Sequence, residues 1–367
     1  MVDRDYILAP QVVTVDFALE PVFSSLNSLH MLNQIDDLSG LGEWVLTTYS
    51  TMSPDLRQRH ELVMNGLGGV LFDAFPPQPH HTTFEGYLDD LAQQDPLRLR
   101  NDLYRTFAED FPRHHTDVAY TPLPSLDEFL KGDGAALVDY IACFKPTTPT
   151  MWRDVYALML KPDAMLALIV DHLRYMWLTA FKAEWARILP MLQESIAAFA
   201  RIPYQNMTGL EAIRAITGRD MTGKLDTKLD RASHLRFVPS AHLGPYVSKF
   251  VRDQTLIIIF GARLPRGSGV SSSDLSRAEL LVRLNALADD TRLRILELLT
   301  HEAELCAQSI IERIGGLSQS SVSRHLSQLT ATGYIVERRR EQQKCYSLNP
   351  ERAFDTIRAL TNFLSRS

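Results

Sequence analysis

Cysteine is the first thing this sequence has little of. The 367 residues include three, Cys143, Cys306 and Cys345, far apart and odd in number. That excludes a disulfide framework of the kind that staples small secreted domains, and it points to a reducing, cytoplasmic setting. A long uninterrupted apolar run is missing too. The most apolar stretch, YALMLKPDAMLALIVDHLRYMWLTAF, is broken by Lys161, Pro162, Asp163 and Asp171, so a buried helix is expected there and no membrane span. The opening MVDRDYILAPQVVTV carries acidic residues where a secretory signal needs a basic region and then an apolar one. Gly-x-Ser-x-Gly, His-Glu-x-x-His and Cys-x-x-Cys are all absent. NGLGGV, around Gly66, follows no predicted strand and lacks the Lys-Ser/Thr of a phosphate loop, so it reads as helix-end punctuation.

What is present is ordinary globular material. Apolar residues make up 45% and charged residues 22%, on a chain long enough for two or three domains. The formal net charge of −6 is unevenly divided. From Leu275 onward there are 13 Lys/Arg against 11 Asp/Glu, whereas the residues before it hold 25 against 33. A slightly basic C-terminal part on an acidic chain points to divided labour.

QVVTVDFALE alternates apolar and polar residues and predicts one short strand. After Pro21 the apolar spacing is helical through about residue 201, with Ser53 and Pro54 as an N-cap and first helical residue, and PPQPHH (76–81) as a turn. TGLEAIRAITG predicts a short helix with Gly218 just past its end. LRFVPS and TLIIIFGARL read as strands. PRGSGVSSSD, residues 265–274, has linker composition and marks a boundary between domains at 1–264 and 275–367. The expected class is mainly α, with a large helical N-terminal domain carrying a few strands.

Beyond the linker the periodicity predicts LSRAELLVRLNALAD as one helix and DDTRLRILELLTH as a second, with Leu293, Leu296 and Leu299 on one face and Asp289 or Asp290 as cap. ELCAQSIIERIGG is predicted as a third, ended by Gly315 and Gly316. Ser318 caps a fourth that runs to about Thr332, with Val322, Leu326 and Leu329 as its buried stripe and Gly333 as its stop. YIVERRR, EQQ and KCYSL then give strand, turn and strand, and Asn349 with Pro350 opens a last helix, PERAFDTIRALTNFLSR.

The fourth helix is unusually rich in serine, a mediocre helix former. With its stripe buried, the opposite side keeps Gln319, Ser320, Ser323, Arg324, Ser327 and Gln328. A helix that enters a major groove needs a thin, donor-rich outer face: small hydroxyls reach phosphates, and Gln and Arg reach base edges with two hydrogen bonds. Arg338, Arg339, Arg340 and Lys344 follow on a hairpin, where they would meet backbone phosphates. A serine-rich surface helix and a solvated charge run are the plainer readings of each element alone. Their order and spacing favour the second helix of a helix-turn-helix on double-stranded DNA.

LADDTRLRILELLT, SQSSVSRHLSQL and GYIVERRR, in that order, resemble the winged helix-turn-helix of ArsR/SmtB-type transcriptional regulators, over about residues 277–349. The resemblance implies a recognition helix in the major groove, a wing on backbone or minor groove, and a homodimer paired through the outer helices. Carried over, the DNA-binding positions are Ser318, Gln319, Ser320, Ser321, Ser323, Arg324, His325 and Gln328, then Arg338, Arg339 and Arg340. His325 reads equally well as packing between helices. Many such regulators sense metals through a Cys-x-Cys box or ligand pairs on the last helix. Here the box reads ELCAQSI, with Cys306 alone and Gln308 in the second place, and the last helix has Asp355 but no histidine. Ligands for a three- or four-coordinate site are lacking, so no metal and no cofactor is expected. The vicinal pairs His80–His81 and His114–His115 would diverge on a helix and read as surface residues.

Residues 1–264 carry no recognisable catalytic signature. Their aromatic and methionine stripes, in MWRDVYALML and RYMWLTAFKAEWARILPMLQ, have the spacing of core. The chain is therefore expected to be a non-enzymatic regulator whose N-terminal domain binds a small-molecule effector or a protein partner. The alternative is an enzyme of unrecognised type fused to an autoregulatory DNA reader, and perturbed carboxylates or histidines in a deep pocket would favour it.

Overall fold

The computed structural model describes residues 13–38, 41–110, 112, 118–144, 148–219, 221, 225, 229–230, 232–263, 265, 277–340 and 343–365. Two compact units form. One consists of Glu20–Asn33 and Leu46–Arg187; the other takes in residues up to Leu19, Gln34–Val45 and Ile188–Ser367. The predicted linker falls almost wholly outside the described residues, as does the pair His114–His115.

The first unit is helical. Its elements include α1 (Pro21–Met31), α2 (Glu43–Thr51), α3 (Pro54–Glu61), α4 (Phe84–Ala92), α5 (Pro96–Arg105), α6 (Leu126–Phe129), α7 (Ala135–Phe144), α8 (Pro149–Met159) and α9 (Pro162–Met176). Local chemistry sets many of these starts. Ser53, Thr83 and Asp95 each accept a backbone N–H of the first turn, and Ser125 forms a full capping box with Glu128. The apolar stretch breaks at Leu160 and Lys161, between α8 and α9, and does not break again at Asp171. Lys161 sits at the N-cap, Asp163 in the first turn and Asp171 on the exposed side, so Pro162–Phe199 continues as one helix of 38 residues. By length and composition it is apolar enough to cross a membrane, but half of its most apolar window is buried inside the protein. Met165, Ile169, Leu173 and Met176 make it a core helix. NGLGGV is a packing device: a Cβ on Gly66 would lie 2.6 Å from Val155 Cγ2, and one on Gly69 would lie 2.9 Å from Leu103 Cδ1.

The second unit begins with β1 (Thr14–Phe17) and continues after α10 (Lys182–Phe199) with α11 (Gly209–Thr217), β2 (His234–Ser240), β3 (Val247–Arg252) and β4 (Thr255–Gly261). The sheet order is β1-β2-β4-β3, with β1, β2 and β4 parallel and β3 antiparallel to β4. Phe199, Ile213, Ile216, Phe237, Ile258 and Phe260 form its core. β3 is the strand the sequence conceals, because YVSKFVR alternates weakly and is nowhere fully buried.

The C-terminal part of this unit holds α12 (Arg277–Leu287), α13 (Asp290–His301), β5 (Leu305–Cys306), α14 (Ala307–Ile314), α15 (Gln319–Thr332), β6 (Ile335–Arg340), β7 (Gln343–Leu348) and α16 (Pro350–Leu364). Ile295, Leu299, Ile310, Val322, Leu326, Leu329 and Tyr334 pack as one core. Two expectations need correction. Leu293 is 50% exposed, and Ile295 with Leu299 forms the buried side of α13 instead. The start of ELCAQSI is a strand rather than a helix, because Leu305 and Cys306 pair with Tyr346 and Cys345 and complete a three-stranded antiparallel sheet, β5-β7-β6.

Candidate nucleic-acid interface

α15 is the second helix of the α14–α15 pair, and both of its ends are anchored by chemistry visible in the sequence. At its start, Ser318 Oγ accepts the Ser321 N–H at 3.2 Å and lies 3.0 Å from Ser320 Oγ. At its end, Gly333 adopts φ 83°, a left-handed conformation natural to glycine. The closing carbonyls are then taken up from α16: Arg352 Nε donates to the Thr332 carbonyl at 2.7 Å, and Asn349 Nδ2 donates to that of Gly333 at 3.0 Å. Sequence reading missed a further anchor. Arg219 Nη1, from beyond α11, donates to the Thr330 carbonyl at 2.6 Å.

The outer face of the helix carries Gln319, Ser320, Ser323, Arg324 and Ser327, all exposed, with Ser318 exposed at the cap and Ser321 half-buried. Arg324 Nη1 reaches the Asp36 carbonyl at 3.4 Å, an exposed contact that leaves most guanidinium donors uncommitted to it. Gln328 does not belong to this face. It is 6% exposed and its Oε1 accepts from Arg292 Nη1 at 2.8 Å, so the amide ties α15 to α13. His325 stands beside the same network, with Nδ1 3.6 Å from Asp289 Oδ1, the carboxylate that caps α13 by accepting the Arg292 N–H at 3.0 Å. Burial holds the His325 ring below the usual histidine value, against the pull of Asp289. The ring is half-buried beside that carboxylate.

The wing places Arg338, Arg340 and Lys344 in the open. Arg338 and Arg340 are two residues apart on β6 and share a face. Lys344 has its Nζ 3.7 Å from Glu337 Oε1. The Arg339 side chain lies outside the described residues.

Cys306 is not alone. The register sets it directly opposite Cys345, with Cα atoms 3.7 Å apart, and the two are joined as a disulfide. Their sequence separation of 39 had hidden this pairing. Gln308 donates to Glu312 at 3.0 Å, and Asp355 pairs with Arg358 at 2.6 Å.

Among its described residues the helical unit holds two histidine clusters. His80 and His81 sit in a turn rather than a helix, their ring centroids 4.1 Å apart, and with Asp90 they bring three ligand atoms within 4.8 Å of one another. The expected divergence therefore fails. The tautomer still argues against a metal: the Gln78 N–H donates to His81 Nδ1 at 2.9 Å, so the neutral ring carries its proton on Nε2, 3.3 Å from Asp90 Oδ2. A metal-bound histidine needs the opposite arrangement, with its other nitrogen donating. His60 and His172 are both buried. His60 Nε2 faces the Leu29 carbonyl at 2.9 Å, which can only accept, so His60 Nδ1 accepts from His172 Nε2 at 2.9 Å. Burial lowers both rings, His60 to about 4.

Comparison with known proteins bears on the C-terminal region. Residues 289–336 match the family model "Bacterial regulatory protein, arsR family". Over 65 residues the chain is 45% identical to the arsenic resistance transcriptional regulator ArsR1 of Pseudomonas putida, covering 18% of this chain and 50% of that one. It is 39% identical over 66 residues to ArsR2 of the same organism, covering 18% and 56%. The chain thus spans about half the length of the curated relatives it matches. The crystal structure of NolR from Sinorhizobium fredii aligns at 32% identity over 25% of this chain and 97% of that one, with a TM-score of 0.20.

Proposed function

We propose, from the premise that the C-terminal region carries an ArsR-family winged helix-turn-helix, that this chain is a DNA-binding transcriptional regulator acting in the cytoplasm. The observation that carries the reading is the outer face of α15, where Gln319, Ser320, Ser323, Arg324 and Ser327 stand exposed on the second helix of the motif. Such a face fits a major groove, with hydroxyls toward phosphates and Gln319 and Arg324 toward base edges. Arg338 and Arg340 meet the backbone beside it.

The functional unit is a homodimer. On α16, Phe354, Ile357 and Leu364 are 68%, 61% and 69% exposed, and Leu281 is exposed on α12, an apolar surface that a second copy covers. The two recognition helices of such a pair lie about 34–36 Å apart, one turn of DNA. Residues 1–264 serve as an effector- or partner-binding domain, without catalysis. No metal or cofactor is assigned; a tight, stoichiometric zinc site in equilibrium dialysis would overturn that. The reading is tested by incubating the full chain with genomic fragments and sequencing what it retains. An inverted repeat with half-sites one helical turn apart is the expected product. Retention of unrelated fragments, in proportion to their length alone, contradicts it.

A further inference from the structure

We propose that Cys306 and Cys345 form a reversible dithiol–disulfide couple that takes low-molecular-weight disulfides as its oxidant and sets the DNA affinity of the wing. The DNA part rests on the function proposed above; the redox part does not.

Three features converge on this pair. The first is register. Across the sheet β5-β7-β6, Cys306 faces Cys345 and Cys345 faces Arg338, so the three side chains form one row on one face. The wing arginine is therefore the direct neighbour of the bond. The second is unequal access. Cys345 is fully buried, whereas Cys306 is only half-buried. The third is electrostatic. Cys306 is the N-cap of α14, where the backbone N–H groups of the first turn favour a thiolate. Arg338, two strands away in the same row, adds a positive charge to that face.

These features assign the two sulfurs different parts. The Cys306 thiolate attacks one sulfur of the external disulfide, forming a mixed disulfide and expelling one small thiolate. Cys345 then gives its proton to solvent and attacks the Cys306 sulfur, forming the internal bond and expelling the second thiolate. Two protein thiols are oxidised and one external disulfide is reduced to two thiols. Excess small thiol runs the exchange backwards, so the bond seen here is the oxidised member of a couple rather than a permanent staple.

The consequence for DNA follows from what the bond ties together. It fixes the middle strand of the sheet, β7, to the residue that opens α14, and α14 packs against α15. Closed, it holds wing and recognition helix in one geometry before DNA arrives; open, that ordering is left to the binding event. The oxidised form is the tighter binder, by about fivefold or more, the low end of typical coupling between sites.

The test uses the full chain with Cys143→Ser, which removes the free exposed thiol. The protein is equilibrated in glutathione buffers from fully reduced to fully oxidised. Alkylation with mass spectrometry reads the fraction bonded, amide exchange reads β6, β7 and α14, and a labelled mixed-sequence duplex reads DNA affinity. The proposal expects complete interconversion across the series, slower exchange of β7 and α14 in the oxidised form, and tighter DNA binding in step. A bond that never opens in reduced glutathione, or never forms in oxidised glutathione, overturns it. So does equal DNA affinity of the two forms. If neither form binds duplex, the regulator reading fails, and the couple still stands or falls on alkylation and exchange. Cys306→Ser must abolish the response while retaining the fold, and wild-type protein compared across buffers needs no substitution.

Discussion

At the scale of single residues, polar side chains divide into those that face outward for a partner and those spent on the protein itself. Arg324 and Gln328 are four positions apart on the same helix, yet only Arg324 is exposed. Gln328→Ala removes one of the acceptors of a part-buried arginine, so the domain should lose about 1–3 kcal/mol of stability. Urea denaturation measures this; an unchanged midpoint would return Gln328 to the DNA face. The buried histidine pair makes a pH prediction. In the unfolded chain these rings protonate near 6.5, whereas burial keeps folded His60 neutral down to about 4. The unfolded state then binds more protons between those values, so stability is complete above pH 6.5 and falls as pH drops toward 4. The loss from pH 7 to pH 5 should be on the order of 2 kcal/mol, and His172→Leu should flatten the slope. Equal urea midpoints at the two pH values would show that the pair is not buried as described.

At the scale of elements, the winged motif was the most legible part of the chain, because each boundary has its own local signal. Ser318 caps α15, Val322, Leu326 and Leu329 recur at helical spacing, and Gly333 ends it. What the sequence concealed was set by distant partners. β5 is two residues long and exists only through its pairing with β7, and the Cys306–Cys345 bond depends on that same register. Gln328 and His325 are not legible in the sequence because their partners, Arg292 on α13 and Asp289 at its N-cap, are remote in the chain. Gly333 also shows why a local signal can be trusted. At φ 83°, with Arg352 Nε 2.9 Å from where a Cβ would stand, Gly333→Ala should cost about 1–2 kcal/mol. A melting temperature equal to the parent's would mean that the helix end tolerates another geometry.

At the scale of the whole molecule, the regulator reading requires two copies and a charged polymer. The exposed apolar residues of α16 should place the chain at twice its monomer mass by light scattering at micromolar concentration, and Ile357→Glu should return it to one. A monomer throughout would leave that face without a role. The central claim concerns the division between α15 and the wing. Its most direct measurement is a salt titration of Arg324→Ala and Arg340→Ala on the retained operator and on a scrambled duplex. Arg324→Ala should lose about 1–3 kcal/mol on the operator and far less on the scrambled sequence. Arg340→Ala should weaken both alike and flatten the salt dependence by about one unit of slope. Unaltered affinity in both variants would mean that the serines and arginines are only a solvated surface, and the assignment would fail with them.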